Sequence, residues 1–442
     1  MGSSAAGVLA AARSAAITTL AVTALSGLGA PAAAAAGWGR PFRLAQPQTT
    51  DLTPARIAFS ATGEAAVAFG TQAEDNPALS SAFVASRSPQ GRLGAPRAVP
   101  AAKQVLDLAF DGAALELLTG TASAANTCCD SVGAVELKGG RFARTRTLVS
   151  KLTGATLGLL SGSPPAPLLA AVATDRGVWV AQSSSGGRFA ATRRLTAAAA
   201  MPLTLAASSL PSGQTTVAWT ASDAGENAPT RIFTASTSAL RAPRGSHLAF
   251  TVGAGHQIDE LGLAAASARA TAGWIESWFD RGGAYHAQVV VADLGAGTRA
   301  RAFAVPGQLA SGLTIAGDAS GDQVVAWKAC DATPSCSVRA ALRRAGQRFG
   351  APVRLGAIDA DQDPAAAISS SGSALVGWID NGHVLAAARS PGARAFAAAR
   401  LVSGTSYAAD LALAFGPTGQ ALAAWTQGTF APDLVGAAYS SP

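Results

Sequence analysis

Lysine is scarce in this 442-residue sequence, since only four of its 33 basic residues are lysine, namely Lys103, Lys138, Lys151 and Lys328. The arginines are spread along the chain, and no basic block interleaved with aromatic residues is present, although the formal net charge is +7. A nucleic-acid surface requires clustered positive charge. The sequence therefore predicts no nucleic-acid partner.

Long apolar runs are also absent after residue 36, so the sequence predicts no membrane span in 37–442. Charged residues make up only 13% and hydrophobic residues 49%, which is typical of a well-buried globular chain. Residues 1–36 contain Arg13, an apolar stretch over 15–28 and the small-residue run 32–36. This order is typical of a cleaved secretory signal peptide, with an uncleaved anchor as the alternative. We expect a secreted single domain over 37–442.

Enzyme motifs are lacking too. There is no Gly-x-Ser-x-Gly elbow, no His-Glu-x-x-His and no phosphate-binding loop. The four histidines are well separated along the chain. The sequence indicates no cofactor, and it favours a protein that is not an enzyme without deciding the question.

The sequence also lacks the sustained 3.6-residue apolar period of helices and instead contains a repeat of about 50 residues. Each unit has a short apolar run, a Ser/Gly turn and an alternating run that closes on a bulky residue. The closing positions are Phe69, Leu118, a weak position near Thr174, Trp219, Trp274, Trp327, Trp378 and Trp425. We predict an all-β propeller of eight four-stranded blades, with seven blades as the alternative.

Three segments resemble the blades of sialidase-like propellers. Residues 85–99 (ASRSPQGRLGAPRAV) and 342–355 (LRRAGQRFGAPVRL) are similar to the third and fourth strands of such blades, and 411–425 (LALAFGPTGQALAAW) to the first and second. The Asp-box of that family, Ser-x-Asp-x-Gly-x-Thr-Trp, is missing, because its Asp is gone and Phe or Leu replaces its Trp. The resemblance implies the propeller architecture without intact Asp-boxes or the catalytic residues of sialidases.

The repeated tryptophans and the cysteines have structural interpretations. A tryptophan at one fixed position of an alternating strand is typical of the core between blades. Cys330 and Cys336 flank a short loop, so we predict a disulfide in an oxidising compartment. The adjacent Cys128 and Cys129 either form a vicinal disulfide or stay reduced.

Acidic residues give a recurring polar signal. Asp259, Asp363 and Asp410 each lie fifteen residues before a closing tryptophan, at the predicted rim of the central channel. We treat them as ligand-binding candidates, with turn capping as the simpler interpretation. Asp359 and Asp361 precede Asp363, and this alternating set is a weak calcium candidate; no other metal site is predicted.

The fifth unit has an unusual loop that concentrates aromatic, acidic and histidine residues. Exposed aromatic side chains among polar groups are typical of recognition sites. We expect Trp278 to be exposed and Trp274 to be buried. The ligand-binding candidates in this loop are Glu276, Trp278, Asp280, Tyr285 and His286.

The two ends of the chain complement one another. Residues 37–44 match a fourth strand without a third, and the last unit ends after its third strand, over 434–439. We predict that they pair and close the ring. The whole pattern favours a monomeric binding or surface-interaction scaffold for an unidentified protein or glycan. A glycan-active hydrolase or lyase with its site at the channel mouth is the alternative.

Overall fold

The structure is a computed structural model. It describes residues 37–46, 51–72, 80–121, 129–152, 156–162, 167–174, 176–184, 188–196, 201–210, 212–222, 230–237, 245–265, 267–295, 300–305, 309–331, 335–404, 407–428 and 432–440. The proposed signal segment 1–36 and Cys128 lie outside the described residues. Within these ranges every regular element is a β-strand, and no helix suited to crossing a membrane occurs.

Eight antiparallel sheets form the eight blades of a propeller, as the repeat predicts. In the four-stranded blades, consecutive strands are neighbours in the sheet. Three blades have an edge made of two short strands, which gives them five strands instead of four.

The strands of the first four blades are these. Blade 1 has Asp51–Leu52, Arg56–Phe59, Ala65–Gln72, Ser81–Arg87 and Arg97–Ala98; blade 2 has Gln104–Asp111, Ala114–Thr121, Ser131–Lys138, Arg141–Phe142 and Arg146–Ser150; blade 3 has Leu157–Ser161, Leu169–Thr174, Gly177–Gln182 and Arg193–Arg194; blade 4 has Met201–Ser209, Thr215–Ser222, Thr230–Ser236 and His247–Thr251.

The strands of the other four blades follow. Blade 5 has His256–Ala265, Ala270–Phe279, Tyr285–Asp293 and Arg301–Ala304; blade 6 has Leu309–Gly317, Gln323–Cys330, Cys336–Arg343 and Val353–Ile358; blade 7 has Ala365–Ile368, Ala374–Asp380, His383–Arg389 and Arg400–Leu401; blade 8 has Ala408–Phe415, Gln420–Gln427 and Asp433–Ser440, completed by Gly37–Trp38 and Phe42–Ala45.

The innermost strand of each blade packs against that of the next blade, and the innermost strand of blade 8 packs against Arg56–Phe59 of blade 1. The predicted closure is confirmed, because Phe42 pairs with Gly436 and Trp38 pairs with Tyr439 in antiparallel ladders. The N-terminal strands thereby supply the outer edge that blade 8 lacks. This pairing removes the open sheet edge that Asp433–Ser440 would otherwise present.

The repeated tryptophans lie in the core between blades, as predicted. Each sits near the middle of the second strand of its blade, and each is at most 3% exposed. Trp219 stacks on Phe233, and Trp327 stacks on Phe303 of the preceding blade. The period of the tryptophans therefore follows the period of the blades, because a bulky side chain at this position fills the space between neighbouring blades.

The hairpin between the second and third strands of blade 6 is closed by the predicted disulfide. Cys330 and Cys336 are directly opposite each other in the ladder, with an S–S distance of 2.05 Å. Cys129 of blade 2 is also disulfide-bonded.

Replacing both Cys330 and Cys336 by serine is expected to lower the free energy of unfolding by about 2 kcal/mol, since the bridge closes only a small ring. Chemical denaturation of the oxidised protein and of the double variant measures the difference. A free-thiol assay that finds both cysteines reduced in protein purified without reductant would contradict the predicted bond.

Candidate functional site

The innermost strands all begin on the same side of the ring, where the hairpins between second and third strands also turn. We call this side the upper face. In several blades a β-bulge lies near the start of the innermost strand, for example between Val105 and Asp107 and between Ile258 and Glu260. A bulge twists the strand and redirects one side chain. Here it turns a carboxylate towards the neighbouring blade.

Two of these redirected carboxylates form hydrogen bonds with the next blade. Asp107 accepts hydrogen bonds from the backbone N–H groups of Leu108 and Leu160, the second of which belongs to blade 3. Glu260 accepts hydrogen bonds from the N–H groups of Gly312 and Leu313 in blade 6. Burial raises the pKa of each carboxyl group to about 7. Both residues are structural clamps, and no sequence pattern singled them out.

Asp363 and Asp410 reach the predicted rim of the channel, where both line its cavity. Asp363 forms an ion pair with Lys328 of blade 6, whose ammonium also donates to the carbonyl oxygens of Ala360 and Gln362. Asp410 occupies the bulge of blade 8 with a φ of 55°. Asp tolerates this left-handed backbone better than most residues, which supports the turn interpretation.

The weak calcium candidate does not assemble. Asp359 accepts hydrogen bonds from the N–H groups of Asn381 and Gly382, whereas the Asp361 carboxylate accepts one from the side chain of Gln362. Among the residues that the structure describes, no group of three His, Cys, Asp or Glu side chains is arranged to hold a metal ion.

Within the described residues, the second strand of blade 5 is longer than those of its neighbours. This strand, Ala270–Phe279, has ten residues, whereas the corresponding strand of blade 6, Gln323–Cys330, has eight. Trp278 lies near the end of the longer strand between two imidazole rings, at 4.6 Å from His256 and 5.3 Å from His286 between ring centroids. Trp274, in contrast, is 3% exposed. The prediction for Trp278 is met only in part, because the two imidazoles leave it half-buried.

The acids of blade 5 hold the imidazoles in place. Glu276 contacts His256 Nδ1 at 2.5 Å and accepts a hydrogen bond from Gln288. Asp280 contacts His286 Nε2 at 3.0 Å and also accepts from the N–H groups of the following turn. The hydrogen bond from His286 lowers the pKa of Asp280. Both acids therefore stabilise the hairpin, Glu276 from a buried position and Asp280 from an exposed one.

The most exposed aromatic side chain of blade 5 is one that the sequence pattern did not indicate. Phe279 is 69% exposed and meets Tyr285 edge-on, with ring centroids 5.4 Å apart. Burial raises the pKa of Tyr285 and that of Asp259, and both side chains interact with Ser277. We call Trp278, Phe279 and Tyr285 the aromatic tip.

The structure thus separates the predicted ligand residues into two groups. Blade 5 brings together Glu276, Trp278, Asp280, Tyr285, His286 and Asp259. Asp363 and Asp410 lie at the channel instead. His256 also belongs to the first group, but it was not predicted from the sequence. It starts the first strand of blade 5, whereas Trp278 is near the end of the second strand, so the two are far apart in the sequence.

The central channel contains a cavity of about 380 Å³. Its polar residues are at the upper face, and include Arg56, Gln104, Gln362, Asp363 and Asp410. Apolar side chains of the innermost strands line the remainder. A cavity of this size and character is within the range of small-molecule sites.

No protein-family model matches the chain, and no curated protein matches it by sequence. Among solved structures, the Dos1 propeller aligns with a TM-score of 0.53 at 12% identity, covering 92% of this chain and 95% of its own. A protein of unknown function from Dyadobacter fermentans aligns at 0.47 and 10% identity, covering 92% of this chain and 99% of that one. An ulvan lyase of polysaccharide lyase family PL25 aligns at 0.47 and 10%, covering 89% and 95%. At 12% identity, the similarity to the Dos1 propeller shows the fold alone.

Proposed function

We propose that this propeller is a binding scaffold of the sialidase-like repeat type and that its upper face holds a glycan at the aromatic tip. The observation that carries the proposal is the exposure of Phe279, at 69%, at the end of the second strand of blade 5, which with ten residues is the longest second strand within the described residues. Tyr407, which directly precedes the innermost strand of blade 8 at the same face, is 65% exposed. These are the two most exposed large apolar side chains of the described residues, and both are aromatic.

A glycan fits this surface better than a large protein interface does. Sugar rings stack their apolar faces on aromatic side chains, and carboxylates beside the ring accept hydrogen bonds from hydroxyl groups. Asp259 acts electrostatically on Tyr285, and Asp280, which follows Phe279 in the sequence, contacts His286. A protein interface of standard size needs about 800 Å² from each partner, whereas the exposed apolar area here is concentrated in a few rings.

Location is part of the same proposal. The Cys330–Cys336 disulfide is typical of oxidising compartments, and the Ala-rich segment 1–36 has the order of a secretory signal. We propose that residues 37–442 act outside the cell as a monomer.

Replacing Phe279 by alanine is expected to weaken glycan binding about tenfold, because truncating an exposed aromatic anchor typically costs more than 1 kcal/mol. A glycan array first identifies the retained sugar, and titration with that sugar then compares the variants. Leu401→Ala is the matched control, since Leu401 is 59% exposed on the outer strand of blade 7. Retention of no glycan, or equal affinity in Phe279→Ala, would contradict the proposal.

A glycan-active hydrolase or lyase at the channel mouth is the second candidate, favoured by the presence of Asp363 and Asp410 in one cavity. Asp410→Asn would then abolish the release of new sugar chain ends while leaving the array signal of the aromatic tip unchanged.

A further inference from the structure

The cavity of the central channel is lined by described residues of every blade except blade 5. Innermost-strand side chains of blades 1, 2, 3 and 8, including Ile57, Leu106, Leu157 and Leu413, are partly exposed and line it. In blades 5 and 6 the corresponding side chains pack tightly between the blades, since Leu263 and Ile315 are at most 2% exposed. The apolar wall of the cavity is therefore formed mainly by blades 7, 8, 1, 2 and 3.

Arg56 brings a positive charge to this wall at the upper face. Its Nε donates to the carbonyl oxygen of Leu106 at 3.4 Å, and its Nη1 and Nη2 have no hydrogen-bond partner within the described residues. Asp107 is the acid that acts on it electrostatically. The carboxylate oxygens of Asp107, however, are hydrogen-bonded to the backbone N–H groups of Leu108 and Leu160.

A guanidinium that retains two unpaired nitrogens over an apolar cavity is suited to a carboxylate, because its planar fork matches two carboxylate oxygens. Removal from bulk water strengthens such a charge-assisted hydrogen bond. The remaining polar groups restrict the charge of the ligand. Asp363 and Asp410 line the same cavity, so a head group with a second negative charge would be repelled.

We propose that the channel is a binding site for an organic monocarboxylate with an apolar body. The carboxylate binds the Arg56 guanidinium at the upper face, and the apolar body lies along Leu157 and Leu413. This site is separate from the aromatic tip of blade 5 and does not depend on the glycan proposal.

Calorimetric titration of the full chain with sodium octanoate tests the site, with octylammonium as a cation of the same length. We expect octanoate to bind and octylammonium not to bind. Arg56→Gln should weaken octanoate binding about tenfold or more, because a hydrogen bond to a charged group is lost. Arg56→Lys, which keeps the charge without the fork, should weaken it less. Arg348→Gln is the control, since Arg348 is exposed and outside the channel.

The outcome is decided by the comparison of these titrations, with thermal unfolding showing that every variant is folded. Equal octanoate affinity in Arg56→Gln would overturn the proposal. So would octylammonium binding in place of octanoate, which would assign the mouth to Asp363 and Asp410, and so would the failure of both probes to bind the folded protein. None of these results changes the expected behaviour of Phe279→Ala on the glycan array.

Discussion

Deletion of residues 37–45 is expected to lower the thermal unfolding midpoint far more than a change in any exposed turn. These residues form the outer strands of blade 8, and without them Asp433–Ser440 becomes an open edge. Leu44 is 2% exposed and packs against Gly436. Truncating Leu44 alone to alanine is expected to lower the free energy of unfolding by about 2–5 kcal/mol. Differential scanning calorimetry of the deletion variant measures the loss.

Two neighbouring point variants separate packing from charge in this closure. Leu44→Ala is expected to cost several kcal/mol, of the order of 2–5. Arg43→Ala is expected to cost less than about 1 kcal/mol, because the Arg43 ion pair with Asp433 is at the surface. The closure would be refuted if deleting residues 37–45 lowered the stability no more than deleting the exposed turn at 345–347.

The stability of the protein is expected to fall as the pH rises from about 5 to about 8, with Glu116 as the main cause. Glu116 is 2% exposed, its Oε1 has no hydrogen-bond partner within the described part of the chain, and Glu136 is directly opposite it in the ladder. Burial, followed by the nearby charges of Glu136 and Asp111, raises its pKa to about 8.

The direction of this pH dependence follows from the number of protons bound by the folded and unfolded states. Between the unfolded and folded pKa values of Glu116, the folded state retains a proton that the unfolded chain has lost, so a higher pH favours unfolding. A pKa difference of one between the folded and unfolded states changes the free energy of unfolding by about 1.4 kcal/mol. For Glu116 the free energy of unfolding is therefore expected to fall by about 4 kcal/mol by pH 8. The raised pKa values of Asp107 and Glu260 act in the same direction.

Glu116→Gln should therefore stabilise the protein at pH 8, flatten its pH dependence and differ little from the parent near pH 5. Urea unfolding at both pH values gives the comparison. Glu64→Gln serves as the control, since Glu64 is partly exposed and its substitution should leave the slope unchanged. A parent protein whose stability rises between pH 5 and pH 8 would contradict this account.

The periodic part of the structure was predictable from the sequence. A residue such as Trp327 has to recur once per blade, and GWGRPFRL at 37–44 had no third strand of its own to pair with. The disulfide also followed from spacing and compartment. All three depend on features that repeat or that occur close together in the chain.

The site residues were harder to predict, because β-bulges break the period on which a reading of the repeat relies. A bulge removes Asp259 from the ladder and turns Glu260 towards blade 6, so a count back from Trp274 selects Asp259 and passes over Glu260, the carboxylate that contacts blade 6. His256 could have been found by pairing the first two strands of the unit, which places it opposite Trp278. The exposure of Phe279 has no signal in the repeat.

Closure by the strand Phe42–Ala45 also has a consequence for the order of folding. Its partner, Asp433–Ser440, is near the other end of the chain, so this ladder is among the last contacts that a chain emerging from the ribosome can make. Until then, Phe42–Ala45 has to remain unpaired, and the edge of the blade that it completes is open to other chains. We therefore expect the yield of closed protein to fall as the concentration of unfolded chains rises.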